Sequence, residues 1–203
     1  MEVSKPYSII YEYAHELEEI EALWKGFRND VIVTIGEKKC RLFFIDMVRL
    51  KQDYNALVEC DGYYIAQPNT IIVKEVSYAE IEKTVKNLYE EKYFDIFGYT
   101  NKKEVSRSYN IIYENDQEIT EDEALNKGFR DDVIIAIGEK NYKLYITDMK
   151  RLEQDFNSEV ENSGVYSNKP NMIIVNEVTK AEIKKTIEIM FEREIFKAIG
   201  YMN

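Results

Sequence analysis

The side chains in this sequence best placed for acid–base chemistry are carboxylates. Asp46, Asp53, Glu59, Glu75 and Glu80 each return 102 positions later as Asp148, Asp155, Glu161, Glu177 and Glu182. Two carboxylates held together can share the work of donating and accepting a proton. Asp46, however, stands where a helix needs its N-cap, and Glu80 completes a capping box three residues after Ser77. Asp53 and Glu59 fall on the polar side of the same predicted helix. Structural or solvated roles are the simpler expectation for all of them. Nucleophilic and metal chemistry have less to draw on. His15 is the only histidine, and its counterpart is Gln117. Cys40 and Cys60 are replaced in the second half by Tyr142 and Asn162. A cysteine nucleophile needs a base beside it and a metal needs clustered ligands. The sequence also has no phosphate-cradling glycine loop and no G-x-S-x-G elbow. It therefore assigns no catalytic, cofactor-binding or metal residues, and it reads as a non-enzyme.

The elements that carry these residues are written twice. Lys25-Gly26-Phe27-Arg28-Asn29-Asp30-Val31-Ile32 recurs as Lys127-Gly128-Phe129-Arg130-Asp131-Asp132-Val133-Ile134. Pro68-Asn69-Thr70-Ile71-Ile72-Val73 recurs as Pro170-Asn171-Met172-Ile173-Ile174-Val175. Every matched pair is offset by 102, with no gap, and about half of the positions from 7 to 101 are identical to their counterparts. Such self-similarity sets the architecture before anything else does. We expect a first repeat over 1–101, a polar linker over 102–108 and a second repeat over 109–203. A linker this short keeps the repeats close, so we expect them to pack about a pseudo-twofold axis, with two independent beads as the alternative.

Within one repeat the hydrophobic period changes several times. Val31-Ile32-Val33-Thr34-Ile35 is β-branched and reads as a buried strand. After a turn over Gly36-Glu37-Lys38-Lys39, Cys40, Leu42 and Phe44 alternate with Arg41 and Phe43, which completes a hairpin. Met47, Leu50, Tyr54 and Val58 then follow at helical spacing. Thr70–Val73 is a third strand, and Ser77-Tyr78-Ala79-Glu80 opens a helix with Ile81, Val85, Leu88 and Tyr89 on its apolar face. Gly98 is expected to end that helix. A strand over Tyr7–Tyr11 and a short helix ending at Gly26 complete the order β-α-β-β-α-β-α. The fold class is α+β: two homologous modules, each a mixed or antiparallel sheet of about four strands with helices on one face.

Bulk properties narrow the functional classes. Hydrophobic residues make up 45% and charged residues 32%, a globular balance. No apolar run approaches the roughly 20 residues of a membrane helix. Met1–Pro6 lacks the apolar core of a secretory signal, and two cysteines make no disulfide framework, so the expected location is cytoplasmic. The net charge of −11 is spread over both repeats and disfavours direct nucleic-acid binding. It favours basic protein partners such as toxin or nuclease domains.

The differences between repeats point either to an interface between the two modules or to a surface for a partner. The first repeat carries Tyr13, Ile20, Trp24, Tyr63, Tyr78 and Tyr93 where the second has Asn115, Asp122, Asn126, Val165, Lys180 and Ile195. Aromatic side chains beside carboxylates suit a hot spot facing a basic ligand. The candidate partner-binding residues are Glu16, Glu18, Glu19, Glu21, Trp24, Tyr63 and Tyr78.

The stretch Asp46-Met47-Val48-Arg49-Leu50-Lys51-Gln52-Asp53-Tyr54, with Tyr63-Tyr64 and Pro68 to Val76, resembles small acidic immunity proteins of bacterial polymorphic-toxin systems. That resemblance implies a cytoplasmic protein that binds a cognate toxin domain and blocks its active site or substrate access. It carries over no catalytic residue. The alternative expectation is an acidic inhibitor, of the phage anti-defence type, whose carboxylates imitate nucleic-acid phosphates.

Overall fold

The computed structural model describes residues 6–12, 18–61, 64, 66–67, 69–95, 108–115, 119–166 and 168–197. The first repeat contains β1 (Ser8–Tyr11), α1 (Glu19–Lys25), β2 (Phe27–Ile35), β3 (Lys38–Asp46), α2 (Met47–Asp61), β4 (Thr70–Val73) and α3 (Tyr78–Glu90). The second repeats that order as β5 (Asn110–Tyr113), α4 (Glu121–Lys127), β6 (Phe129–Ile137), β7 (Lys140–Asp148), α5 (Met149–Ser163), β8 (Met172–Val175) and α6 (Lys180–Glu192). The class is α+β, with two four-stranded mixed sheets in the order β1-β2-β3-β4 and β5-β6-β7-β8. Strands β1, β2 and β3 run antiparallel, and β4 lies parallel to β3 because α2 carries the chain back between them.

The caps fall where the sequence places them. Asp46 Oδ1 accepts from the Arg49 N–H at 2.7 Å, and Asp148 Oδ1 accepts from Arg151 at the same distance. The Ser77 and Thr179 hydroxyls accept from the Glu80 and Glu182 N–H groups. At Thr120 the box is reciprocal, with the Glu123 carboxylate also accepting from the Thr120 N–H.

Boundaries differ in three places. The hairpin turn is only Gly36-Glu37, since Ile35 already pairs with Lys38. Strand β2 begins four residues earlier than its β-branched run, at Phe27. Helix α3 ends at Glu90, with Lys92 in the left-handed region at φ 59, well before the expected stop. Gly98 and Gly200 lie outside the described residues.

The helices divide between the two faces of each sheet. Ile71 and Val73 join Val31, Leu42 and Phe44 in a core with Ala22 of α1 and Ile81, Val85 and Leu88 of α3. Ile72 and Ile45, which alternate with them, point the other way. They meet Leu50 and Tyr54 of α2. The expectation of helices on one face therefore holds for α1 and α3, while α2 covers the reverse. The second repeat has its own core of the first kind, built on Val133, Leu144, Ile146, Ile183 and Ile187.

The reverse faces share one cluster. Leu50, Tyr54, Tyr64 and Ile72 pack in it with Leu152, Phe156, Tyr166 and Ile174. Burying a leucine side chain contributes about 1.5–3 kcal/mol. The Asn168 amide clamps the outer edge of β4: its Oδ1 accepts from the Ile72 N–H at 2.7 Å, and its Nδ2 donates to the Ile72 carbonyl at 3.2 Å. Lys51 Nζ lies 2.7 Å from Glu153 Oε1, so equivalent positions of the two repeats meet.

Candidate functional site

Asp46, Asp53 and Asp155 are engaged in holding the fold, whereas Glu59 and Glu75 are exposed. Asp46 caps α2, Asp53 pairs with Arg49 at 2.9 Å, and Asp155 pairs with Arg151 at 2.9 Å. Among the described residues no group of three His, Cys, Asp or Glu side chains could hold a metal ion. Cys40 is half-buried on β3, and burial pushes its thiol up to about 11, away from thiolate chemistry at neutral pH. Cys60 is exposed on α2. His15 lies outside the described residues.

Of the partner-binding candidates, Glu18, Glu19, Glu21 and Trp24 lie on α1 or at its start, and Tyr78 opens α3. This seven-residue helix is too short to stand alone. Ala22 anchors it with no exposed surface, and Gly26 ends it at φ 70. A Cβ on Gly26 would lie 2.7 Å from Asp46 Oδ2 and 2.8 Å from Arg49 Cβ, so the helix end is pressed against the start of α2. With Ala22 facing inward, Ile20, Leu23 and Trp24 share the outward face at spacings of three and four. They are 61%, 37% and 88% exposed.

The acids around them have unequal freedom. Glu18 is exposed at the N-cap position. Glu21 pairs with Lys25 at 2.5 Å. Glu19 Oε1 accepts from the Tyr78 N–H at 2.6 Å, placing negative charge at the positive end of α3. The second repeat copies that contact, with Glu121 accepting from the Lys180 N–H at 2.8 Å. Glu16 and Tyr63 lie outside the described residues.

Tyr78 faces the sheet. Its ring centroid is 4.6 Å from that of Tyr11, and the Arg28 guanidinium lies 4.6 Å from the Tyr11 centroid and 5.0 Å from the Tyr78 centroid. Arg28 and Asp30 are both fully buried, joined through Nε–Oδ1 at 2.6 Å and Nη2–Oδ2 at 3.0 Å. Arg130 and Asp132 repeat this fork at 2.8 Å for both bonds, with Tyr113 over Arg130 at 4.7 Å.

A bulge makes this arrangement possible. Arg28 pairs with Phe44 across the hairpin and Val31 with Leu42, so Asn29 and Asp30 together oppose the single residue Phe43. The extra residue lets Arg28 and Asp30 face inward on the same side as Val31 and Val33. Asp132 is held below the ordinary carboxylate value, first by its bonds from Arg130. Burial pushes the Tyr11 phenol up to about 12, opposed by the neighbouring Arg28 charge, so it is neutral at physiological pH.

The R-x-D spacing belongs to the repeat, but its burial as an ion pair was not among the expectations from sequence. Two charges two residues apart beside a β-branched run were the available signal, because strand alternation puts such residues on one face.

No protein-family model, curated protein or solved structure matches the chain.

Proposed function

We propose that this chain is a toxin-neutralising immunity protein, a cytoplasmic binder that occludes a basic toxin or nuclease domain with the α1 face of its first repeat. The observation that carries this reading is Trp24, 88% exposed beside Ile20 on a short helix rimmed by Glu18 and Glu21. Exposed tryptophan is a frequent binding anchor, and a carboxylate rim suits a basic surface. The equivalent positions in the second repeat are Asn126 and Asp122, so the fold itself does not require the apolar residues. A phosphate-imitating inhibitor draws less support, because Glu19 and Glu21 already have partners within the chain.

The reading includes a pseudo-twofold arrangement of the repeats. Its support is the shared cluster, which takes matching positions from each: Leu50 with Leu152, Tyr54 with Phe156, Tyr64 with Tyr166, and Ile72 with Ile174. In this arrangement one repeat presents the binding face and the other braces it.

The test is capture with the full chain from cells of its source, followed by expression of the captured protein alone. A stoichiometric partner that arrests growth and is rescued by co-expression of this chain is the expected result. Binding should persist at moderate salt and weaken when Trp24 is replaced by Ala. A partner harmless on its own, bound with a steep salt dependence and indifferent to Trp24, would overturn the proposal.

A further inference from the structure

Beside the outer strand of the first sheet lies an open cavity of about 500 Å³, lined by Tyr7, Ser8, Ile9, Tyr11, Tyr78 and Glu82, with Ala79 at its side. Three of those side chains are tyrosines and one is a carboxylate. Tyrosine faces attract cations through the ring quadrupole, and a carboxylate at the same site adds charge attraction. Strand β1 contributes three of the lining residues, with Tyr7 just before it, and is the terminal strand of its sheet, so its outer edge runs along the cavity. An extended segment can lie beside such an edge and send one side chain into the adjoining pocket.

The second repeat provides an internal comparison. Tyr78 is replaced there by Lys180 and Glu82 by Lys184. Lys180 Nζ sits 5.1 Å from the centroid of Tyr113, the counterpart of Tyr11. The same Tyr113 ring also carries the Arg130 guanidinium at 4.7 Å. A tyrosine already stacked on the buried arginine therefore accommodates a second cation. The aspartate paired with that arginine explains how, since it neutralises the charge behind the ring.

We infer that the first repeat's groove over Tyr7, Tyr11, Tyr78 and Glu82 receives a lysine or arginine side chain from an extended segment of a protein partner. The second repeat places its own Lys180 on the corresponding ring. Glu82 from α3 is the charged residue lining the groove; the buried Arg28–Asp30 pair of β2 lies behind its tyrosines, and Glu19 of α1 accepts from the Tyr78 N–H. This deepens the binding role proposed above and rests on it only for the partner being a protein with a basic surface.

The probe is a capped Val-Lys-Val tripeptide, titrated into the labelled full chain and followed by NMR, with a norleucine version as control. Resonances of Tyr7, Tyr11, Tyr78 and Glu82 should shift with the lysine peptide, and the norleucine peptide should bind at least about threefold more weakly. Tyr78→Lys should weaken the lysine peptide about tenfold or more, because the groove then holds its own cation. The second repeat already carries lysine there, so the variant is compatible with the fold. Lys180→Tyr with Lys184→Glu should create matching shifts around Tyr113. No shifts in the wild-type chain, equal binding of the two peptides, or an unchanged Tyr78→Lys variant would each overturn the inference. Because the probe is a bare peptide, such a failure leaves the α1 capture experiment standing. Failure of that capture would leave a positive peptide result intact.

Discussion

In the first repeat a buried arginine forks onto an aspartate under a tyrosine, and the second repeat builds the same fork on Arg130 and Asp132. A short distance away, position 24 holds an exposed tryptophan in one repeat and its equivalent, Asn126, is polar in the other. Buried frame and solvent-facing surface have therefore followed different rules in two copies that began alike. What both copies keep is what the fold needs: the bulge, the fork, the Asp46/Asp148 and Ser77/Thr179 caps and the left-handed turn at Gly26 and Gly128. What only one copy has is open to other demands, and in the first repeat those differences include Ile20 and Trp24 on α1 and Tyr78 at the start of α3.

The equivalence of the buried frames can be broken by removing one partner of each fork. Asp30→Ala leaves Arg28 buried without its carboxylate and should cost about 3–5 kcal/mol in chemical denaturation. Asp132→Ala should cost a similar amount. A loss under about 1 kcal/mol in either would mean that the two forks are not doing the same job.

Trp24→Ala sharpens the contrast at the surface. Stability should move by less than about 0.5 kcal/mol, while affinity for a captured partner should fall by about 2 kcal/mol or more. Asn126→Ala should change neither quantity. Calorimetric binding and thermal melts on the two variants decide the matter.

Gly26→Ala asks whether the helix end is as tightly fixed as its contacts imply. The new Cβ would meet Asp46 and Arg49 at under 3 Å with φ at 70, and the loss should be about 1–3 kcal/mol. Gly128→Ala meets Arg151 Cβ and Asp148 Oδ2 in the same way and should match it.

The acid limb of stability offers a gentler probe. Asp132 has a lowered folded-state value relative to its ordinary 3.8. Its contribution is therefore complete above 3.8 and disappears as the pH falls through the lowered value. Denaturation curves between pH 5 and about 2 should show that decline, and Asp132→Asn should flatten it. The smallest effect belongs to the contact between repeats. Lys51→Glu should cost no more than about 1 kcal/mol, and Lys51→Glu with Glu153→Lys should recover it.

Much of the architecture was legible because the hydrophobic period changes at each junction and a capping residue marks the change. Met47, Leu50 and Tyr54 announce one helix face from spacing alone, but spacing cannot say which side of the sheet receives it. That choice depended on the other repeat, which supplies Leu152 and Phe156 to cover α2's side. The start of β2 was hidden because Arg28 and Asp30 interrupt the β-branched run with charge. Their burial makes sense only once Tyr11 and Tyr78, distant in sequence, are seen closing over them.

The site was partly visible for the same reason that it differs between copies. Trp24 stands out against Asn126 in a simple alignment of the halves. Nothing local reveals that Glu19 reaches the N–H of Tyr78, since that bond spans 59 residues. The groove beside β1 was out of reach, because its walls come from the first strand and the third helix.

The contact of Lys51 with Glu153 has an ancestral consequence. These are one and the same position, written twice, and they touch. Had the two halves once been separate and identical molecules joined through this surface, that residue would have met its own copy, lysine against lysine or glutamate against glutamate. Fusion into one chain lifts that constraint, since each half can then mutate alone and opposite charges can settle at a point where identity once forbade them. A duplicated gene is thus free to become lopsided from the middle outward, keeping one half as buttress while the other is reshaped by whatever it must seize.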